Sequence, residues 1–195
     1  MKSILTAIAA VLMFSNPATA QKFDDTLERP FMQGGKVYMR LASAGYRIQA
    51  RTDDRIVVHW TVNEPEDMDK IKVVIDAHGS QANIRTTGPV RKTKVIIGIP
   101  QRSDLYVRMV AGEMDIDAIE GNKDIRMTAG ELSIVAGPES YSRVKASVTF
   151  GDLQASPFHV SKGGIKRGFE WRGSGMYTLR ASLFAGEVNL VRRHK

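Results

Sequence analysis

The second half of this 195-residue chain repeats one pattern: an alternating apolar segment, a glycine followed by a carboxylate, and another alternating apolar segment. Alternation with a period of two is typical of a β-strand, and repetition at short spacing is typical of folds in which each unit packs on the next. We therefore expect stacked strands whose glycines align. The repeated glycines are Gly112, Gly130, Gly151 and Gly186.

Shorter alternating segments, bounded by Gly, Pro, Asn or Asp, fill most of the chain from Lys36 onward, and only residues 64–70 fit a helical turn. The pattern predicts an all-β fold, with a single-domain parallel β-solenoid over residues 36–195 and an irregular lead-in over residues 21–35. The interval from Gly151 to Gly186 is the longest of the repeat. It predicts a loop or hairpin inserted into one coil.

The first twenty residues have the features of a secretory signal peptide: Lys2, an apolar run over residues 4–14, and small residues at 18–20. We therefore expect export by a signal peptide at residues 1–20, to the periplasm or outside the cell. The apolar run is too short to span a bilayer as a helix, so we expect no membrane anchor after cleavage. Cysteine is absent, so disulfides do not stabilise the exported domain.

The segment from Trp171 to Val188 and the repeated Ala-Gly-Glu steps that begin at Ala111 and Ala129 resemble the bacterial putative-adhesin family. That family has no known function and is predicted to form β-solenoids. The resemblance implies an exported or envelope-associated β-solenoid, and it brings no catalytic residues with it.

A formal net charge of +7 favours an anionic partner, and export argues against nucleic acid as that partner. Most basic residues are dispersed along the sequence, but several surround a glycine-rich stretch within the longest repeat interval. We predict that this stretch contacts an envelope glycan, a lipid headgroup or a protein. The predicted binding residues are Lys162, Lys166, Arg167, Trp171 and Arg172.

Acidic residues form a second candidate site. Glu113, Asp115 and Asp117 lie at a period of two, which places them on one face of a strand. If the coils stack in register, Glu131 and Asp152 lie above Glu113 at intervals of about 4.8 Å. Like charges directly opposite one another destabilise a sheet, so we expect compensation.

Three kinds of compensation are open: the acids cap turns, they pair with basic side chains on neighbouring strands, or they bind a hard cation such as Ca²⁺. The candidate basic partners are Arg108, Arg126 and Lys145. Calcium is the one cofactor that the sequence brings into question.

The sequence predicts a non-enzymatic, exported binding or adhesion-like protein of the bacterial cell envelope. One alternative is a carbohydrate-active enzyme of the parallel β-helix type, a polysaccharide lyase or hydrolase that uses Asp115 and Asp117 as paired carboxylates. Another alternative is a structural or assembly protein whose open strand edges pair with another chain.

Overall fold

The computed structural model describes residues 23–62, 64–88 and 93–192, and the predicted signal peptide at residues 1–20 lies outside these ranges. The described residues form an all-β protein, as predicted, with twelve strands in one sheet. No helix in this part of the chain is long and apolar enough to cross a membrane.

The strands are connected by short turns and by 3₁₀ helices at Pro65–Lys70, Pro138–Ser140 and Ser156–Phe158. In chain order they are β1 (Phe23–Pro30), β2 (Gly35–Leu41), β3 (Ala44–Arg51), β4 (Arg55–Val62), β5 (Lys72–His78), β6 (Gln81–Thr87), β7 (Lys94–Pro100), β8 (Ser103–Ile116), β9 (Lys123–Val135), β10 (Tyr141–Ala155), β11 (Val160–Arg172) and β12 (Tyr177–Val191).

The long strands β8, β9, β10 and β12 each bend at a central glycine, and the alternation of inward and outward side chains shifts by one position there. In β8, Val107 and Met109 are buried before the glycine, whereas Met114 and Ile116 are buried after it. The inward positions thus pass from odd to even numbers. The segments before the glycines, with β2, β5 and β6, form the first arm of the sheet. The segments after them, with β1, β3, β4 and β7, form the second arm.

The four repeated glycines pair in register across neighbouring strands, in the order Gly112, Gly130, Gly186, Gly151. We call this line the glycine row. All four have positive φ angles between 117° and 133°, which disfavour any residue with a Cβ. A Cβ at Gly130 would lie 1.9 Å from the carbonyl oxygen of Gly112. The bend therefore requires glycine both for its backbone conformation and for the approach of the neighbouring strand.

The sheet is mixed rather than parallel throughout, so it differs from the expected purely parallel solenoid. The central strands β8, β9, β12 and β10 pair in parallel, whereas β1–β4, β4–β7, β5–β6 and β10–β11 pair antiparallel. The antiparallel strands lie toward the ends of the sheet. An antiparallel neighbour needs only a tight turn, so the chain can cover an open edge with the residues that follow directly.

The order of the long strands also differs from the chain order, because β12 lies between β9 and β10. After β10 the chain turns back as β11, which pairs with one edge of β10. The next parallel strand must then use the other edge of β10. A strictly sequential solenoid would have placed β10 beside β9.

Two segments without apolar alternation are strands. Residues 23–30, expected to be an irregular lead-in, form β1, which pairs antiparallel with β4. The insertion in the longest repeat interval forms a hairpin in which β11 pairs with β10 along most of its length. The side chains of both strands are mostly exposed, so the burial pattern that reveals a strand in sequence is missing.

The buried apolar side chains of both arms form one continuous core inside the bend, and this core contains a buried lysine. Lys123 pairs in register with Leu105 and Leu179 on the inward side of the first arm. Its Nζ donates to the carbonyl oxygen of Ile119 and, over 2.8 Å, to the hydroxyl of Tyr141. Burial lowers the pKa of Lys123 to about 8.

We expect the substitution Gly130→Ala to destabilise the protein by about 3 kcal/mol or more, because it combines a positive φ with a backbone clash. The matched control is Gly45→Ala, at a strand position where a Cβ would lie 3.6 Å from the carbonyl oxygen of Thr93. That control should change the free energy of unfolding by less than about 0.5 kcal/mol. Urea unfolding measures both, and equal effects would contradict the role of the glycine row.

The buried Lys123 predicts a pH dependence of stability. Its folded pKa of about 8 lies below the model-peptide value of 10.5, so between these values unfolding takes up a proton. Stability from this group should rise with pH across that window, by up to about 3 kcal/mol. Urea unfolding of the wild type and of Lys123→Met at pH 7 and pH 10 tests this. The free energy of unfolding of the wild type, relative to that of the variant, should increase from pH 7 to pH 10. A difference that stays constant would contradict the prediction.

Candidate functional site

The structure divides the predicted binding residues of β11 between the two sides of the sheet. Lys162 pairs in register with buried Leu153, and Arg167 with buried Val148, so both lie on the inward side at the end of the core. Lys162 donates from Nζ to the carbonyl oxygen of Gly168 over 2.9 Å, and Arg167 donates from Nε to that of Gly163 over 2.7 Å. The two cations therefore join the two arms of β11 across its bend.

Trp171 also lies on the inward side, in register with buried Val144. Its ring packs edge-on against that of Phe158, with a centroid distance of 5.2 Å, and the ring of Phe169 lies 5.7 Å from that of Phe158. These aromatic contacts cover the open end of the core. The ring of Trp171 is accordingly half-buried rather than displayed to solvent.

The other two predicted binding residues are exposed, and Arg172 lies on the outward side in register with Arg143. Lys166 has a positive φ of 51° at the bend of β11. Arg172 and Arg143 both contact the Oε1 atom of Glu170, at 3.5 Å and 2.8 Å. The contact with Arg143, the larger cause, and that with Arg172 lower the pKa of Glu170.

The carboxylates that follow the glycines lie in one line across the outward side of the second arm, which we call the acidic row. Its order is Glu113, Glu131, Glu187, Asp152, at strand spacings of about 4.8 Å. Because β12 is inserted, Glu187 takes the position expected for Asp152. The row borders an open groove of about 700 Å³ that also contains Phe150.

The expected compensation for the acidic row is not found in the described residues. No ion pair there reaches its carboxylates, and Glu187 accepts a long hydrogen bond of 3.4 Å from Gln154. Arg108 and Arg126, two of the expected partners, instead contact Asp124. The capping and pairing alternatives therefore do not describe this row.

The described residues contain no group of three or more His, Cys, Asp or Glu side chains arranged to hold a metal ion. Of the three predicted calcium ligands, Asp117 contacts Arg47 at 3.6 Å, and Asp115 pairs in register with the same arginine. Glu113 belongs to the acidic row. The three carboxylates are thus spread along an open strand face, with Asp115 and Asp117 beside Arg47 and Glu113 in the acidic row.

The outward side of the first arm is basic. Its acidic side chains are Asp76, Asp104, Asp124 and Glu170, and basic residues from eight strands surround them. We call this surface the basic face. Its basic residues are Lys36, Arg40, Lys72, Arg85, Arg108, Arg126, Arg143, Lys145, Arg172 and Arg180, and we include Lys166, which is exposed at the adjoining bend of β11.

Sequence reasoning missed the basic face, because its residues are far apart in the chain. One signal was available: Arg108 and Arg126 stand at the same distance before Gly112 and Gly130. Alignment of the repeats on their glycines places these two arginines side by side. No such signal marks β2 and β6, whose arginines join the face through strand pairing alone.

Comparison with known proteins relates this chain to others by its fold. No family model matches it, and no curated protein matches it. A solved structure of a putative cell adhesion protein from Clostridium sporogenes has a TM-score of 0.56 at 13% sequence identity, over 88% of this chain and 100% of that chain. At this identity the likeness shows a shared fold and nothing about activity.

A putative adhesin from Parabacteroides distasonis has a TM-score of 0.29 at 10% identity, over 89% of this chain and 98% of that chain. A putative lipid binding protein from the same species has a TM-score of 0.24 at 10% identity, over 87% and 97% of the two chains. Scores at this level support no structural argument.

The acidic row predicts that the loss of one of its charges stabilises the protein. Glu131 lies between Glu113 and Glu187, so Glu131→Gln removes two like-charge contacts. We expect a gain of about 0.2–1 kcal/mol at low salt, which shrinks as salt screens the repulsion. Glu64→Gln, at an exposed position outside the row, serves as the control. Denaturant unfolding at two salt concentrations measures the effect, and a loss of stability would contradict it.

Proposed function

We propose that the protein is an exported, non-enzymatic binding protein of the bacterial cell envelope, which holds an anionic envelope component on its basic face. The observation that carries this proposal is the separation of charge on the folded sheet. Basic side chains gather on the outward side of the first arm, and the acidic row lies on the outward side of the second arm. A surface of one sign attracts a partner of the opposite sign.

Several features agree with a binding role. The start of the sequence reads as an export signal, and the shared fold occurs in a protein named as a putative cell adhesion protein. The acidic residues considered for catalysis lie along an open face, whereas paired catalytic carboxylates need environments that separate their pKa values. Lys166 and Arg172 belong to the basic face at its β11 end, so the predicted contact segment takes part at these two positions.

The expected mechanism is electrostatic attraction to a rigid sheet, with no chemical step. Strand pairing holds the backbone of each basic residue at a set position, so partner binding costs little backbone conformational entropy. Attraction between exposed charges is screened by salt, with a Debye length of about 10 Å at 0.1 M. Binding should accordingly weaken as the salt concentration rises.

The triple variant Lys145→Glu, Lys166→Glu, Arg180→Glu should bind an isolated envelope fraction about tenfold more weakly than the wild type at low salt. The variant reverses three exposed charges near the β11 end of the basic face. Co-sedimentation with the envelope fraction measures binding, and circular dichroism checks that each variant folds.

The control is Lys94→Glu, Arg102→Glu, Arg192→Glu, which makes the same change in net charge at exposed residues outside the basic face. This control should keep most of the binding. Equal losses in the two variants would assign the attraction to net charge rather than to the basic face. Absence of wild-type binding at low salt would overturn the proposed function.

A further inference from the structure

Four arginines lie side by side in the middle of the basic face. In register across β6, β2, β8 and β9 they are Arg85, Arg40, Arg108 and Arg126, and we call them the arginine row. Neighbouring strands are about 4.8 Å apart, so the row extends for about 14 Å. The row runs across the sheet, perpendicular to the strands.

The arginine row is incompletely neutralised. Asp124 Oδ1 lies 3.1 Å from Nη1 of Arg108 and 3.3 Å from Nε of Arg126. Among the described residues, no carboxylate forms an ion pair with Arg40 or Arg85, and both are exposed. Like charges opposite one another destabilise a sheet, so a bound anion would relieve repulsion along the whole row.

Shallow grooves run on both sides of the arginine row. One has a volume of about 510 Å³ and lies between the four arginines and the neighbouring line that contains Val110 and Thr128. The other, of about 340 Å³, lies between the β6, β2 and β8 arginines and the line of Asn83, Tyr38 and Tyr106. The row is therefore flanked by space for an extended chain.

The two tyrosines beside the row form a stack. The rings of Tyr38 and Tyr106 are 4.8 Å apart and inclined by 16°, so each ring covers a face of the other. Proteins that bind single-stranded nucleic acid offer free aromatic faces on which successive bases stack. In this protein each tyrosine ring already covers one face of the other, and the stacked pair, which we call the tyrosine wall, carries hydroxyl groups. These groups favour a ligand that is rich in hydrogen-bonding groups.

We propose that the arginine row binds a linear acidic polysaccharide, whose carboxylate groups contact successive guanidinium groups. This inference rests on the proposed function and names the ligand class for the basic face. A guanidinium group presents two parallel N–H donors to a carboxylate, and a row of them suits a chain with repeated carboxylates. The flanking grooves then receive the sugar rings, and the tyrosine wall limits the path of the chain.

The test measures binding of the full chain to polygalacturonate, a linear carboxylated polysaccharide, by isothermal titration calorimetry at low salt. Arg40→Gln with Arg85→Gln should weaken this binding about tenfold, because these two arginines have no acid partner in the described part of the chain. The matched control, Lys94→Gln with Arg102→Gln, should bind like the wild type. Dextran, a neutral polysaccharide, should not bind.

Other outcomes separate this inference from the proposed function. If polygalacturonate binding is lost in the Lys145, Lys166 and Arg180 triple variant but kept in the Arg40 and Arg85 variant, the arginine row is not the site and the proposed function stands. Tighter binding of single-stranded DNA or of phosphatidylglycerol vesicles than of polygalacturonate would overturn the assigned ligand class. Failure of the wild type to bind the polysaccharide and the envelope fraction would overturn both proposals.

Discussion

The close approach of neighbouring strands at the glycine row is the constraint on which the rest of the structure depends. Each glycine of the row has a positive φ, and a Cβ at any of these positions would lie about 2 Å from a carbonyl oxygen of the next strand. A bend at the same position in each of the four long strands keeps these strands in register on both sides of it. The core inside the bend and the lines of side chains outside it both follow from that register.

In-register stacking gathers similar residues, because the four long strands carry similar residues at paired positions. On the inward side this yields continuous apolar lines that form one core. On the outward side it yields lines of like charge, basic on the first arm and acidic on the second arm. Such lines reduce stability, yet they give a surface with regularly spaced charges, which suits an extended partner better than a small ligand.

The ends of the sheet are closed by antiparallel strands whose side chains are mostly exposed. At one end, β11 covers the last parallel strand, and Lys162, Arg167 and Trp171 complete the core edge through contacts within the hairpin. Inward-pointing charges of this kind are one way in which proteins protect a sheet edge from further pairing. Because β12 lies between β9 and β10, which both precede it in the chain, the central sheet is complete only when β12 has joined.

The sequence by itself determined the all-β class, the positions of most strands from Lys36 onward and the glycine positions, because apolar alternation and glycine at a bend are local signals. It could not reveal β1, since that strand is specified by backbone pairing and its side chains are mostly exposed. The tertiary structure decided the position of β12, the mixed direction of the sheet and the assembly of the arginine row. Arg40 and Arg85 meet Arg108 only through strand pairing, and long-range pairing leaves no mark within any single segment.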